Sequence, residues 1–240
     1  MRILVANDDG VNAAQLIPLI RWCRKLGEVI PVVPKVEQSG KSHSIEIHEP
    51  FEVKRVQLAP DITAWAVDST PADCVRFAVL GLKMDFDLLI SGVNRGLNIG
   101  RDIMYSGTAG AVFEAGSMKI PAIALSTDPA SYPCDEAHLD TVYDYFMAHD
   151  LMGKHSLYNV NIPQNPIGIR ITRQGGPYYS DDFDPQGDDM YLARGKSVYT
   201  EGHDYEIDTN AALHGYISIS PLTICRTDLG MFEKLKELNQ

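Results

Sequence analysis

The sequence contains no apolar stretch approaching the length of a membrane span. It has no CxxC pair and no His/Cys spacing of the metal-binding kind. Its four cysteines (Cys23, Cys74, Cys134 and Cys225) are widely scattered, which fits reduced thiols in a cytoplasmic protein. The N-terminus also lacks the basic, apolar, small-residue order of a signal peptide, since Met1-Arg2 runs directly into an apolar segment. Basic charge is in short supply: 21 Lys and Arg stand against 32 Asp and Glu, for a net charge of −11. A nucleic-acid duplex is therefore a poor partner, because its phosphates require a basic patch. A small phosphorylated substrate remains compatible, provided that a metal or a helix N-terminus supplies local positive potential. Two phosphate-binding fingerprints are missing as well, G-x-G-x-x-G and the Walker A lysine pattern, which disfavours an ordinary dinucleotide-dependent oxidoreductase.

What is present is a βαβ rhythm. Arg2–Ala6 is a continuous apolar run, as expected of a strand buried on both faces. Asn12–Leu26 reads as a helix with Leu16, Leu19, Ile20 and Cys23 on one stripe and Gly27 as its stop. Strands are expected at 28–33, 87–91 and 120–126. Ser69-Thr70-Pro71 begins a helix with a capping hydroxyl followed by proline, and Tyr105–Met118 is helix-compatible and rich in small residues. Asp135–Met152 reads as a further helix, and a late strand is expected at 216–220. Residues 156–221 otherwise mix short strands with turns such as GGPYYSDDFDPQGDD, the pattern of a projecting hairpin or arm, and Met231–Leu238 suggests a terminal helix. The expected fold is α/β: a Rossmann-like core whose mostly parallel sheet is flanked by helices, plus a C-terminal β-rich arm and terminal helix. We read 1–240 as one domain, with 1–130 forming the core that carries the site and 131–240 supplying remaining core elements and an oligomerisation arm.

Three polar loops fall at carboxyl ends of expected strands, where ligands collect in such sheets. The first is Asn7-Asp8-Asp9-Gly10. Adjacent carboxylates repel, so either water disperses the charge in an ordinary turn or a hard divalent cation absorbs it. The second, EQSGKSHS (37–44), offers the Ser39 hydroxyl as a ligand and His43 either as a proton donor or as a surface histidine. The third, GVNRGLNIGRDIMYSGTAGA (92–111), presents Asn94 and Asn98 between glycines, then Ser106-Gly107-Thr108 opening a helix. Exposed N–H groups and the positive dipole end suit that start to an anion, although glycines there also permit close packing. Together the loops describe a metal-plus-phosphate site.

NDDG (7–10), EQSG–HSI (37–45), STPADCV (69–75), SGVNRGLNIGRDIMYSGTAGA (91–111) and GYISISPL (215–222) resemble the SurE family of stationary-phase survival nucleotidases. The resemblance implies that Asp8, Asp9, Ser39 and Asn94 ligate one divalent cation per subunit, Mg²⁺, Mn²⁺ or similar. It implies that Asn94, Asn98, Ser106, Gly107 and Thr108 surround the phosphate of a nucleoside 5′- or 3′-monophosphate. Some members add exopolyphosphatase activity, and members assemble as homodimers or homotetramers. The expected chemistry is phosphomonoester hydrolysis of the 5′-nucleotidase class. Asp8 or Asp9 orients water or attacks phosphorus, and His43 is a candidate acid for the leaving alkoxide. A non-catalytic nucleotide sensor using the same pocket is the competing reading.

Overall fold

The computed structural model describes residues 1–238. In chain order its elements are β1 (Arg2–Ala6), α1 (Leu16–Cys23), β2 (Glu28–Pro34), β3 (Val53–Ala59), β4 (Ile62–Val67) and α2 (Pro71–Arg76). There follow β5 (Leu88–Arg95), α3 (Gly107–Ser117), β6 (Ala122–Thr127), α4 (Glu136–Ala148), α5 (Leu151–Lys154) and β7 (Leu157–Ile162). The chain continues through β8 (Gly168–Ile171), β9 (Tyr179–Gly187), β10 (Met190–Ser197), α6 (Asp208–Leu213), β11 (Tyr216–Pro221) and α7 (Leu229–Leu235).

Nine strands form one sheet in the order β3-β4-β2-β1-β5-β6-β7-β11-β8. The run from β4 to β7 is parallel, β3 and β11 enter antiparallel to β4 and β7, and β8 runs parallel to β11. Alternation along β1 shows why this sheet needs cover on both faces. Ile3 and Val5 join a core cluster with Leu19 of α1 and Leu139 and Phe146 of α4. Leu4 and Ala6 join the opposite cluster with Cys74 of α2 and Val112 of α3. From β1 the chain leads to β2 on one side, while β5 lies on the other. That reversal of winding opens a crevice at the carboxyl ends of β1 and β5.

The structure revises several boundaries. The helix expected over 12–26 is regular only over Leu16–Cys23. Asn7 explains its late start: its side chain accepts from Gly10 N–H (3.2 Å) and donates to Gly10 C=O (3.0 Å), so turns occupy the residues before it. The β3–β4 hairpin at the sheet edge had no counterpart among the expected elements. Residues 156–221 contribute more to the body than an arm would. Leu157–Ile162 is a wholly buried inner strand, disguised in sequence by Asn159 and Asn161, and β8 and β11 extend the same sheet. Only β9 and β10 leave it, pairing as a separate antiparallel ribbon.

Candidate active site

The loop after β1 lies against the start of α3. Asp8 is only 4% exposed, and its Oδ1 accepts a hydrogen bond from the Thr108 hydroxyl. Contact here is close enough that a Cβ on Gly107 would come within 2.9 Å of the Asp8 Cβ. Burial pushes the Asp8 carboxyl up to about 6, with the neighbouring Asp9 charge adding to the rise and the Thr108 hydrogen bond opposing it. Asp9 is also raised, chiefly by burial, although its Oδ2 accepts from the Arg95 N–H at 3.3 Å. Two adjacent carboxylates held at a buried strand end are costly until a cation neutralises them.

The 37–46 loop closes over this pair without regular structure of its own. Gln38 N–H donates to Asp8 C=O (2.7 Å) and Ser42 N–H to Tyr105 C=O (3.0 Å). The STPADCV segment holds the loop's far end. Thr70 caps α2 by accepting from Asp73 N–H (3.1 Å) and donates its hydroxyl to Ser44 C=O (2.7 Å). Asp73 accepts from Glu46 N–H at 2.8 Å. Gly110, one turn into α3, makes room for the same loop, since a Cβ there would lie 2.2 Å from the Ser42 carbonyl oxygen. Its place and that of Gly107 show that both glycines serve close packing.

Asp9 and Ser39 line one cavity together with Glu37, Arg95 and Tyr132. The Ser39 hydroxyl donates to Glu37 (2.7 Å), so its lone pairs stay available to a cation. Asn94 is the penultimate residue of β5, and its Nδ2 donates to Gly96 C=O at 2.8 Å, which leaves the amide oxygen as the free donor atom. Gly92 just before it has φ +130°, and a Cβ there would lie 2.2 Å from the Leu125 carbonyl oxygen, so only glycine fits. Asp8, Asp9, Ser39 and Asn94 thus offer oxygen alone, the chemistry hard divalent cations prefer. Those residues fit such an ion.

Asn98 is bonded to β6 and β7. Its Nδ2 donates to Ser126 Oγ (2.9 Å) and its backbone N–H to Asn161 Oδ1 (2.7 Å). Its carbonyl accepts from Asn159 (2.8 Å) and Asn161 (3.1 Å). Farther along, Asp208 of α6 accepts from Gly100 N–H at 2.9 Å and Gly175 N–H at 2.8 Å, so the late part of the chain props the 92–111 loop. Ser106 caps α3 through Ala109 N–H at 3.1 Å.

The His43 ring is engaged on α3. Its Nε2 pairs with Glu114 at 2.7 Å, and Arg76 Nη1 reaches the other Glu114 oxygen at 3.2 Å. Glu114 is seven residues beyond Gly107, about 10 Å along the helix axis from the contact with Asp8. His43 faces a second cavity with Phe113, Thr223 and Arg226, apart from the one that holds Asp9 and Ser39. Sequence reasoning missed Glu37, Arg95, Tyr132, Asn159, Asn161 and Asp208. A lone cation within GVNRG was a usable signal for Arg95, and the alternation in LYNVNI one for the two asparagines.

The family model described as "Survival protein SurE" matches residues 3–181, from β1 into β9. "5'-nucleotidase SurE" of Thermosipho melanesiensis is 33% identical over 248 residues, covering 99% of this chain and 97% of that protein. The protein of the same name from Acinetobacter baumannii strain SDF is 37% identical over 262 residues, with 98% of each covered. A crystal structure of SurE protein from Aquifex aeolicus superposes with a TM-score of 0.80 at 30% identity, covering 100% of both chains. Fold, motif order and full-length relatives agree: this chain belongs to the SurE family.

Proposed function

We propose that the protein is a divalent-metal-dependent phosphomonoesterase that releases phosphate from nucleoside 5′- and 3′-monophosphates. The carrying observation is the contact of the buried Asp8 with Thr108 and Gly107 at the N-terminus of α3. It sets an anionic metal-type ligand beside an anion-type helix start. The 5′-nucleotidase names of the relatives support the substrate class.

In this reading Asp8, Asp9, Ser39 and Asn94 hold one cation, Mg²⁺ or Mn²⁺ in class. Bound there, the ion supplies positive charge to the crowded phosphoryl transition state. The Ser106-Gly107-Thr108 turn binds the equatorial phosphate oxygens, and Asn98, its backbone fixed by Asn159 and Asn161, positions the group. Thr108 fixes the orientation of Asp8. Asp9, facing the open cavity, takes the proton from the attacking water. The new P–O bond forms as the ester bond breaks, and the alkoxide leaves with a proton from solvent. His43 is a positioning residue that pins the 37–46 loop to α3 through Glu114.

A panel of nucleoside monophosphates and polyphosphate assayed with Mg²⁺, Mn²⁺ and Co²⁺ tests the assignment. Release from nucleotides that is abolished by chelator and by Asp9→Asn supports it, and saturable nucleotide binding without release refutes it. We further propose that the protein assembles as a homodimer or homotetramer. The β9–β10 ribbon exposes Phe183, Met190 and Tyr191, and α7 exposes Leu229, Met231 and Phe232. Sedimentation showing only monomer refutes that assembly.

A further inference from the structure

The segment returning from β10 to α6 brings Glu201 and His203 beside His214 at the C-terminal end of α6. One ligand atom from each lies within 4.8 Å of the others. The His214 ring is committed: Nδ1 donates to Asn210 C=O at 2.8 Å, which leaves Nε2 as its ligating nitrogen and aims it at Glu201 Oε1, 3.3 Å away. Histidines in metal sites are oriented in the same way, with the non-ligating nitrogen bonded to a carbonyl. The His203 ring stands 5.6 Å from that of His214, and Tyr205 packs against His214 at 5.2 Å on its way to Tyr216.

We propose that Glu201, His203 and His214 form a second cation site that takes a first-row divalent transition metal, Zn²⁺ in class. Two imidazoles and one carboxylate suit such an ion, whereas Mg²⁺ and Ca²⁺ require oxygen throughout. Ligand atoms around a tetrahedral Zn²⁺ stand roughly 3.3 Å apart, given bonds of about 2.0–2.1 Å. The further approach needed is supplied by Glu201 and His203, whose side chains are exposed. A fourth position stays open to water. The site clips the returning segment onto α6, the helix whose Asp208 holds the Gly100 and Gly175 amides. Sequence spacing concealed it, because a Glu-x-His pair is completed by a histidine eleven residues later.

The site is tested in an Asp8→Asn background, which disables the carboxyl-end site and separates this inference from the proposed function. Equilibrium dialysis with Zn²⁺ should show one ion bound per chain, and Co²⁺ in its place should give the visible absorption of a low-coordinate nitrogen/oxygen site. His203→Ala should weaken binding by at least about 100-fold, since loss of an outer-shell partner alone costs 10–100-fold, and Glu201→Gln should weaken it less. Both residues are exposed, so the variants should keep the parent circular dichroism spectrum. Absence of Zn²⁺ binding overturns the proposal. So does binding that survives His203→Ala undiminished, as it would if the exposed Cys225 thiol were the ligand.

Discussion

Removing the Asp8 charge should make the metal-free protein more stable while abolishing its chemistry. Burial raises the Asp8 carboxyl from 3.8 to about 6, so the folded chain holds this proton more tightly than the unfolded chain does. Between those values the folded state binds more protons, and its stability falls as pH rises through the window; above about 6 the full penalty applies. Each pKa unit is worth about 1.4 kcal/mol, so displacement from 3.8 to about 6 corresponds to about 3 kcal/mol. Asp8→Asn removes the charge and keeps an oxygen able to accept from Thr108. Urea unfolding of wild type and variant in chelator, from about pH 4 to about pH 8, measures the difference directly. The variant's advantage should be near zero at the acid end and approach about 3 kcal/mol at the alkaline end. Added Mn²⁺ should then stabilise wild type by about 2.7 kcal/mol at a hundredfold excess over its Kd, and leave the variant unmoved. A flat difference across pH, or one that grows toward acid, refutes the electrostatic account of the doublet.

Gly110→Ala should cost about 1–3 kcal/mol by thermal melting, because its methyl group would meet the Ser42 carbonyl at 2.2 Å; an unchanged melting temperature contradicts the packing described. His43→Gln should lower kcat less than about tenfold, whereas a general acid would forfeit 10²–10⁴-fold. Asn161→Ala should raise KM for nucleotide and destabilise the fold by about 1–3 kcal/mol, since it strips two hydrogen bonds from half-buried Asn98 backbone groups. Single turnover in ¹⁸O-water should place the label in phosphate, and label recovered in Asp9 refutes direct attack by water.

The parallel core was legible because its strands are buried on both faces and read as unbroken apolar runs, Arg2–Ala6 foremost. Helix starts were legible where a hydroxyl cap carries the signal, as at Thr70 and Ser106. β7 escaped because Asn159 and Asn161 lie inside a core strand, where polar side chains interrupt the apolar run. At the proposed site, Asp8, Asp9, Ser39 and Asn94 were legible as candidates because metal-type oxygens cluster at strand ends. The pairing of His43 was not legible: its partner Glu114 lies 71 residues away, and no local pattern reveals it. The Glu201–His203–His214 cluster is hidden for the same reason.

The span between β2 and β3 covers 35–52 without regular secondary structure, yet it carries Ser39. It is tied down at Asp8, Tyr105, α2 and α3 by a few hydrogen bonds. Such a segment can open as a unit at far less than the global cost of unfolding, leaving the sheet intact. Apparent affinity for the cation is then the intrinsic affinity scaled by the fraction of time this segment is shut. Substitutions at Thr70 or Asp73, which lie outside the proposed ligand set, would therefore register as weakened metal affinity and faster amide exchange along 37–46.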